Sequence, residues 1–271
     1  MNYTLQGNQR VTPIVGNLIH DDLGKLVLSK YNELFRGTSA EHKVQYQDGQ
    51  AITHSNVPLV LGIDQILRQE LPSARILRME DVVENWDLIP ELNSTYADTT
   101  SIVVYPNKGV NEEHRQRVLG ILGKTKTNVP LVVTGLGVKP AQDYGFWFTE
   151  TDHVKAQEAP YLKKGGLVSS KDSKLESSNT GVRIWTPDNQ AGLRRVYRNR
   201  VDGLGAWGDS LLGADSGGRV QILQDPKGLV AEGDAQKILH YRLIELQRQK
   251  EAQIAQINSR YEQASKILRG N

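Results

Sequence analysis

Four short runs of branched apolar residues punctuate the first half of the chain: "VPLVLG" (57–62), "ARILRM" (74–79), "SIVVY" (101–105) and "VPLVVTG" (129–135). Runs of this kind read as strands, and they limit the fold more than any other feature. Between them lie "IDQILRQELP", "EDVVENWDLIPEL" and "NEEHRQRVLGIL", which carry helical periodicity or acids that favour a helix start. Strand alternating with helix predicts a βαβ arrangement around a buried, largely parallel sheet. In the third helix Asn111 is the expected cap, Glu112 and Glu113 favour the positive end, and Val118, Leu119 and Leu122 line one face.

The fold class expected is α/β, mixed with α+β, in three parts. Residues 1–137 form an α/β domain, 138–232 a mixed β-rich region, and 233–271 a C-terminal helix. The first part also holds a helix over "DDLGKLVLSKYNELFRG", capped by Asp21 or Asp22 and stopped by Gly37. A hairpin follows around Asp48-Gly49. The second part contains "KKGGLVSSKDSKLESSNTG" (163–181), rich in Gly, Ser and Lys and read as a mobile exposed loop. It then resumes a strand at "VRIWT" and shows a helical stripe, Leu193, Val196, Tyr197, Val201 and Leu204, with Asp188 as cap.

The tail is free of Gly and Pro from residue 234 to Gly270. As one helix it would be about 55 Å long. Ile254, Ile257, Tyr261, Ala264 and Leu268 alternate in spacings of three and four, a short heptad seam that predicts oligomerisation. A seam this short needs support from the protein body or from symmetric copies.

Several stretches carry the outline of a chemical motif without its context. "GADSGG" (213–218) has the look of a serine-protease nucleophile loop, but no histidine stands in a matching setting, and a hairpin turn is the reading. "GLGAWG" (203–208) fits G-x-G-x-x-G but follows an expected helix rather than a strand, so it reads as a flexible connector. "GKT" (123–125) has Val118 where a phosphate loop needs its first glycine, so Gly123 reads as a helix C-cap. "VVTGLG" (132–137) lies at the carboxyl end of an expected strand, which makes Gly135 and Gly137 the candidate ligand contacts.

"LRRVYRNR" sets Arg194, Arg195, Arg198 and Arg200 beside Tyr197 on an expected helix surface, a candidate partner-binding patch. The formal net charge is +2, so nucleic acid is a secondary candidate for this patch. With no cysteine, the chain has no disulfide, thiol or cysteine-based zinc chemistry. No metal-ligand spacing and no cofactor motif is present. No signal peptide and no long apolar run is visible, which predicts a soluble protein made in the cytoplasm.

Two functions fit these residues. The first is a non-enzymatic structural or assembly protein that associates with itself or other chains through the tail and the arginine face. A virus or phage particle is one setting for it. The alternative is an α/β enzyme or binding domain for a small phosphorylated or nucleotide-like ligand near Gly135–Gly137.

Overall fold

A computed structural model describes residues 14–86, 96–171, 174–199 and 203–224, together with Ile254. The chain divides into two compact units, Met1–Asp225 and Pro226–Asn271. The elements below belong to the first.

Four helices are present: α1 (Asp22–Phe35), α2 (Val57–Glu70), α3 (Met79–Glu84) and α4 (Glu112–Ile121). Asp21 caps α1 as expected, its Oδ1 accepting the Gly24 N–H at 3.0 Å. The end of α4 also follows its sequence. Gly123 is left-handed (φ 65°), and the N–H groups of Gly123 and Lys124 donate to the carbonyls of Gly120 and Leu119. At the other end Asn111 is not a side-chain cap. It sits left-handed, and its Nδ2 donates to the carbonyls of Leu193 (2.9 Å) and Asp209 (2.7 Å).

The first apolar run is a correction. "VPLVLG" is no strand but the first half of α2, where every residue from Val57 to Asp64 is buried. A helix enclosed on all sides has no polar stripe, so its sequence shows a continuous apolar run. Asn56 starts it, accepting the Leu59 N–H at 2.9 Å through its side-chain oxygen.

The main sheet has eight strands: β3 (Ala97–Val104), β4 (Leu131–Thr134), β7 (Lys155–Glu158), β8 (Gly166–Lys171), β9 (Lys174–Ser178), β10 (Val182–Trp185), β11 (Leu193–Arg198) and β12 (Gly203–Gly208). Their order is β7-β4-β3-β11-β12-β10-β8-β9. β1 (Ile14–Asn17), β13 (Gln221–Gln224) and β2 (Ala74–Ile76) form a second sheet, and β5 (Gly137–Ala141) pairs β6 (Gly145–Thr149). The fold is therefore mixed α/β, but the expected parallel sheet is overturned. Among the described strands only β10 and β12 run parallel.

The reason lies in burial. All eight residues of β3 and all four of β4 are buried. Ile102, Val104 and Val133 join α1, α2 and α4 in one core, while Val103 and Val132 point into a second core with α3 and the far strands. Strands covered on both faces look alike in sequence whichever way they run.

The sheet curls until its two edges approach. Gln157 on β7 donates through Nε2 to the Leu175 carbonyl on β9, at 3.3 Å. Three further expectations are corrected. The boundary at residue 137 does not hold, because β3 and β4 share one sheet with β7 to β12. The segment 163–181, expected as a loop, carries the antiparallel strands β8 and β9, with Val168 and Leu175 buried in the second core. Around Asp48-Gly49 the chain turns, but only single bridges form, Ile19 to Ala51 and Thr53 to Arg219.

No described helix is long and apolar enough to cross a membrane. Of the tail, Ile254 is helical and 47% exposed; Ile257, Tyr261, Ala264 and Leu268 lie outside the described residues.

Candidate functional site

The arginine run lies on β11, not on a helix. A strand alternates its side chains, and here both faces are covered, so the patch is split and largely enclosed. Arg194 is 6% exposed and Arg198 1% exposed. Arg194 pairs with Asp209 and donates to the carbonyls of Ala191 (3.0 Å) and Trp207 (3.2 Å). Burial pulls the Arg198 guanidinium down to about 10. Arg200 lies outside the described residues.

Arg195 anchors a buried polar network. Its Nη1 donates to both oxygens of Asp98 (3.2 and 3.3 Å) and to the Gly213 carbonyl (2.7 Å). Asp98 is fully buried and also accepts from Ser55 Oγ (2.9 Å) and Tyr96 Oη (3.1 Å). Desolvation pushes its carboxyl up to about 6, against the pull of Arg195 and the hydrogen bonds. The Arg195 guanidinium lies 5.5 Å from the ring centres of both Tyr96 and Tyr197.

This packing explains "GLGAWG", which is strand β12 and not a connector. A side chain at Gly205 would strike the Tyr197 ring, and one at Gly208 would meet Arg195 Cγ at 2.5 Å. Asp188 caps no helix. It pairs instead with Lys164 at 2.7 Å.

"DSGG" is a turn, as expected. Asp215 accepts the Gly218 N–H on its carbonyl (2.8 Å) and the Gly217 N–H on Oδ1 (2.7 Å). It closes no hairpin, because the strand that follows, β13, pairs with β1 and β2. Gly135 and Gly137 are filled by the chain itself. Gly135 is left-handed (φ 73°) and faces the His153 carbonyl, and a Cβ on Gly137 would meet Thr149 Oγ1 at 2.5 Å. Thr134, one residue earlier, borders open space.

That space is a cavity of about 570 Å³ at the seam of the curled sheet, between the edge strands β7 and β9 and helix α3. Its lining carries Arg75, Arg78, Lys155 and Lys174 together with Glu80, Asp81, Glu84 and Glu158. Arg75 is committed to Asp81, with Nη2 2.6 Å from Oδ1. Arg78 Nε and Glu80 Oε2 are buried without a hydrogen-bond partner among the described residues. Burial raises the Glu80 carboxyl above its ordinary range and lowers the Arg78 guanidinium.

A second cavity, about 500 Å³, opens where β10 and β12 end. Trp185 and Trp207 line it with Lys164, Thr186, Asp188 and Asn199. Nothing in the sequence marked these tryptophans as a pair; the parallel β10–β12 ladder, with Trp185 beside Gly205, brings them together. A third, about 380 Å³, lies beside His114, whose ring packs among Tyr144, Phe146, Trp147 and Phe148. Burial lowers the His114 imidazole to about 4. Among the described residues no group of three or more acidic, histidine or cysteine side chains is placed to hold a metal.

No protein-family model, no curated protein and no solved structure matches this chain.

Proposed function

We propose that the chain is a non-enzymatic structural protein that assembles with copies of itself or with other chains through the seam Ile254, Ile257, Tyr261, Ala264 and Leu268. The observation that carries this reading is Ile254, a helical apolar residue at a seam position with about half its surface in water. An apolar knob of this kind gains by burial against a second helix. Three of the arginines drop out of the proposed interface: Arg194 and Arg198 are enclosed, and Arg195 is bound to Asp98.

Light scattering after size exclusion tests this on the full chain and on a double variant, Ile254→Asp with Ile257→Asp. The expected result is a defined oligomer that falls to a monomer in the variant. A monomer in both, with unchanged circular dichroism, removes the reading.

The seam cavity favours a second reading, a domain that holds a small anionic ligand. Its support is the unpaired Arg78 Nε beside Lys155, Lys174 and Thr134, one residue from the glycine-bearing turn. Calorimetric titration with inorganic pyrophosphate checks it. Binding that is lost in Arg78→Ala and weakened in Lys155→Ala supports it, and no heat at all counts against it.

A further inference from the structure

We propose that the cleft between Trp185 and Trp207 binds a neutral carbohydrate chain. Trp207 is 50% exposed, more than any other large apolar side chain described, and Trp185 is half-buried beside it. Leaving a large apolar surface in water is costly, and an exposed aromatic set among polar groups marks a place where something binds. Two indole side chains lining one open cleft suit a flat ligand with an apolar side.

The polar groups decide which flat ligand. Lys164 and Asp188 form an exposed ion pair on the rim, at 2.7 Å. Cation and anion cancel there, so the rim selects for no net charge, yet it offers both donors and acceptors. Thr186 is buried, and its Oγ1 has no hydrogen-bond partner among the described residues. A hydroxyl of this kind costs about 1–3 kcal/mol until it is paired. An apolar peptide side chain stacked on the tryptophans would leave it unpaired.

A single-stranded nucleic acid would stack on the rings, but it needs a cationic track for its phosphates. Among the described residues that line the cleft the one cation, Lys164, is neutralised by Asp188, and Arg183 is engaged with the Trp185 ring at 5.6 Å. A sugar ring meets each demand. Its axial C–H groups offer an apolar side to the indoles, its hydroxyls match the polar side chains that line the cleft, Lys164, Thr186, Asp188 and Asn199, and it carries no charge. Pro187, whose backbone φ is fixed by its ring, stands in the wall between Thr186 and Asp188.

Tryptophan fluorescence and calorimetry on the full chain test this with neutral hexasaccharides: β-1,4-glucan, β-1,4-mannan, α-1,4-glucan and β-1,4-linked N-acetylglucosamine. Oligothymidylate is the charged stacking control. At least one saccharide is expected to bind and quench the fluorescence. Trp207→Ala and Trp185→Ala should each weaken it by about tenfold or more, a loss of about 1.4 kcal/mol. Thr186→Val should weaken it less.

Trp207 is half exposed, so its variant should fold, and an unchanged thermal midpoint confirms that; this variant alone decides if Trp185→Ala does not fold. The proposal is overturned if no saccharide binds, if binding survives loss of Trp207, or if oligothymidylate binds and the sugars do not. None of these outcomes bears on assembly through the tail, which the mass measurement reads separately.

Discussion

Val57-Pro58-Leu59-Val60 opens a helix, and Val129-Pro130-Leu131-Val132 leads into a strand that starts at Leu131. The same four residues take two structures in one protein, so their own preferences decide neither. What differs is the surroundings. Before the first copy stand Ser55 and Asn56: Asn56 caps the helix, and Ser55 is tied to Asp98 on β3, which fixes where the helix starts. Pro58 falls in the first turn, where a missing N–H costs nothing. Before the second copy the chain comes out of the turn after α4, with Thr127 Oγ1 donating to the Val129 carbonyl at 2.5 Å. Pro130 then precedes the ladder, in which Val132 pairs with Val103 on one side and Gln157 on the other. A capped start with an enclosed cylinder ahead gives a helix, and a gap between two strands gives a strand.

The comparison can be broken or sharpened by substitution, starting with the largest effect. Leu59 and Leu131 are the matched third residues, exposed 0% and 2%. Leu59→Ala and Leu131→Ala should each cost about 2–5 kcal/mol in denaturant unfolding. If only one of them is costly, the two segments are not equally enclosed, and the parallel fails.

The Asp98 anchor should give a pH signature of about 3 kcal/mol. Its carboxyl rises to about 6 in the folded state, so its contribution is full below about 4 and is lost as pH rises to about 6. His42 and His114, both lowered to about 4 by burial, act the other way: their contribution is present above about 6.5 and is lost as pH falls toward 4. Over pH 4 to 6.5 the histidine contribution therefore rises, while that of Asp98, with Glu80 in the same sense, falls. Asp98→Asn should be less stable at every pH but show a more positive slope over that range. An unchanged slope, followed by thermal unfolding, would show that Asp98 is not the raised group.

Gly62 lies against the Tyr31 ring, and a Cβ there would stand 2.6 Å from Tyr31 Cδ2. Tyr31 is fully buried and cannot give way. Gly62→Ala should therefore lose about 1–3 kcal/mol, although alanine is the better helix former. A gain in the unfolding midpoint would mean that α1 and α2 are not packed this closely. The smallest effect belongs to the cap. Asn56→Ala should cost about 1 kcal/mol, and Asn56→Ser should recover most of it.

Where a local rule is strong, the structure was legible in the residues. The Asp21 cap, the stop at Gly123, helix α4 and the turn at Asp215–Gly218 each follow from a few neighbouring side chains. The arginine run shows the opposite case. Leu193, Val196 and Tyr197 have helical spacing, yet they lie on β11, whose register against β3 shifts between Arg195 and Tyr197. That irregularity, with Arg194 and Arg198 buried, removes the alternation that marks a strand. The tryptophan cleft left no trace, because Trp185 and Trp207 meet only through a ladder between strands with β11 between them in the chain.

By itself, then, the sequence determined the local punctuation of this protein: caps, stops, turns, and which segments must leave water. Those depend on hydrogen bonds and φ preferences that span only a few residues. The tertiary structure alone decided which buried segment became helix or strand, which way the strands run, and which charged and aromatic side chains meet. A segment covered on every side carries no pattern to show what covers it, and partners far apart in the chain are set by packing.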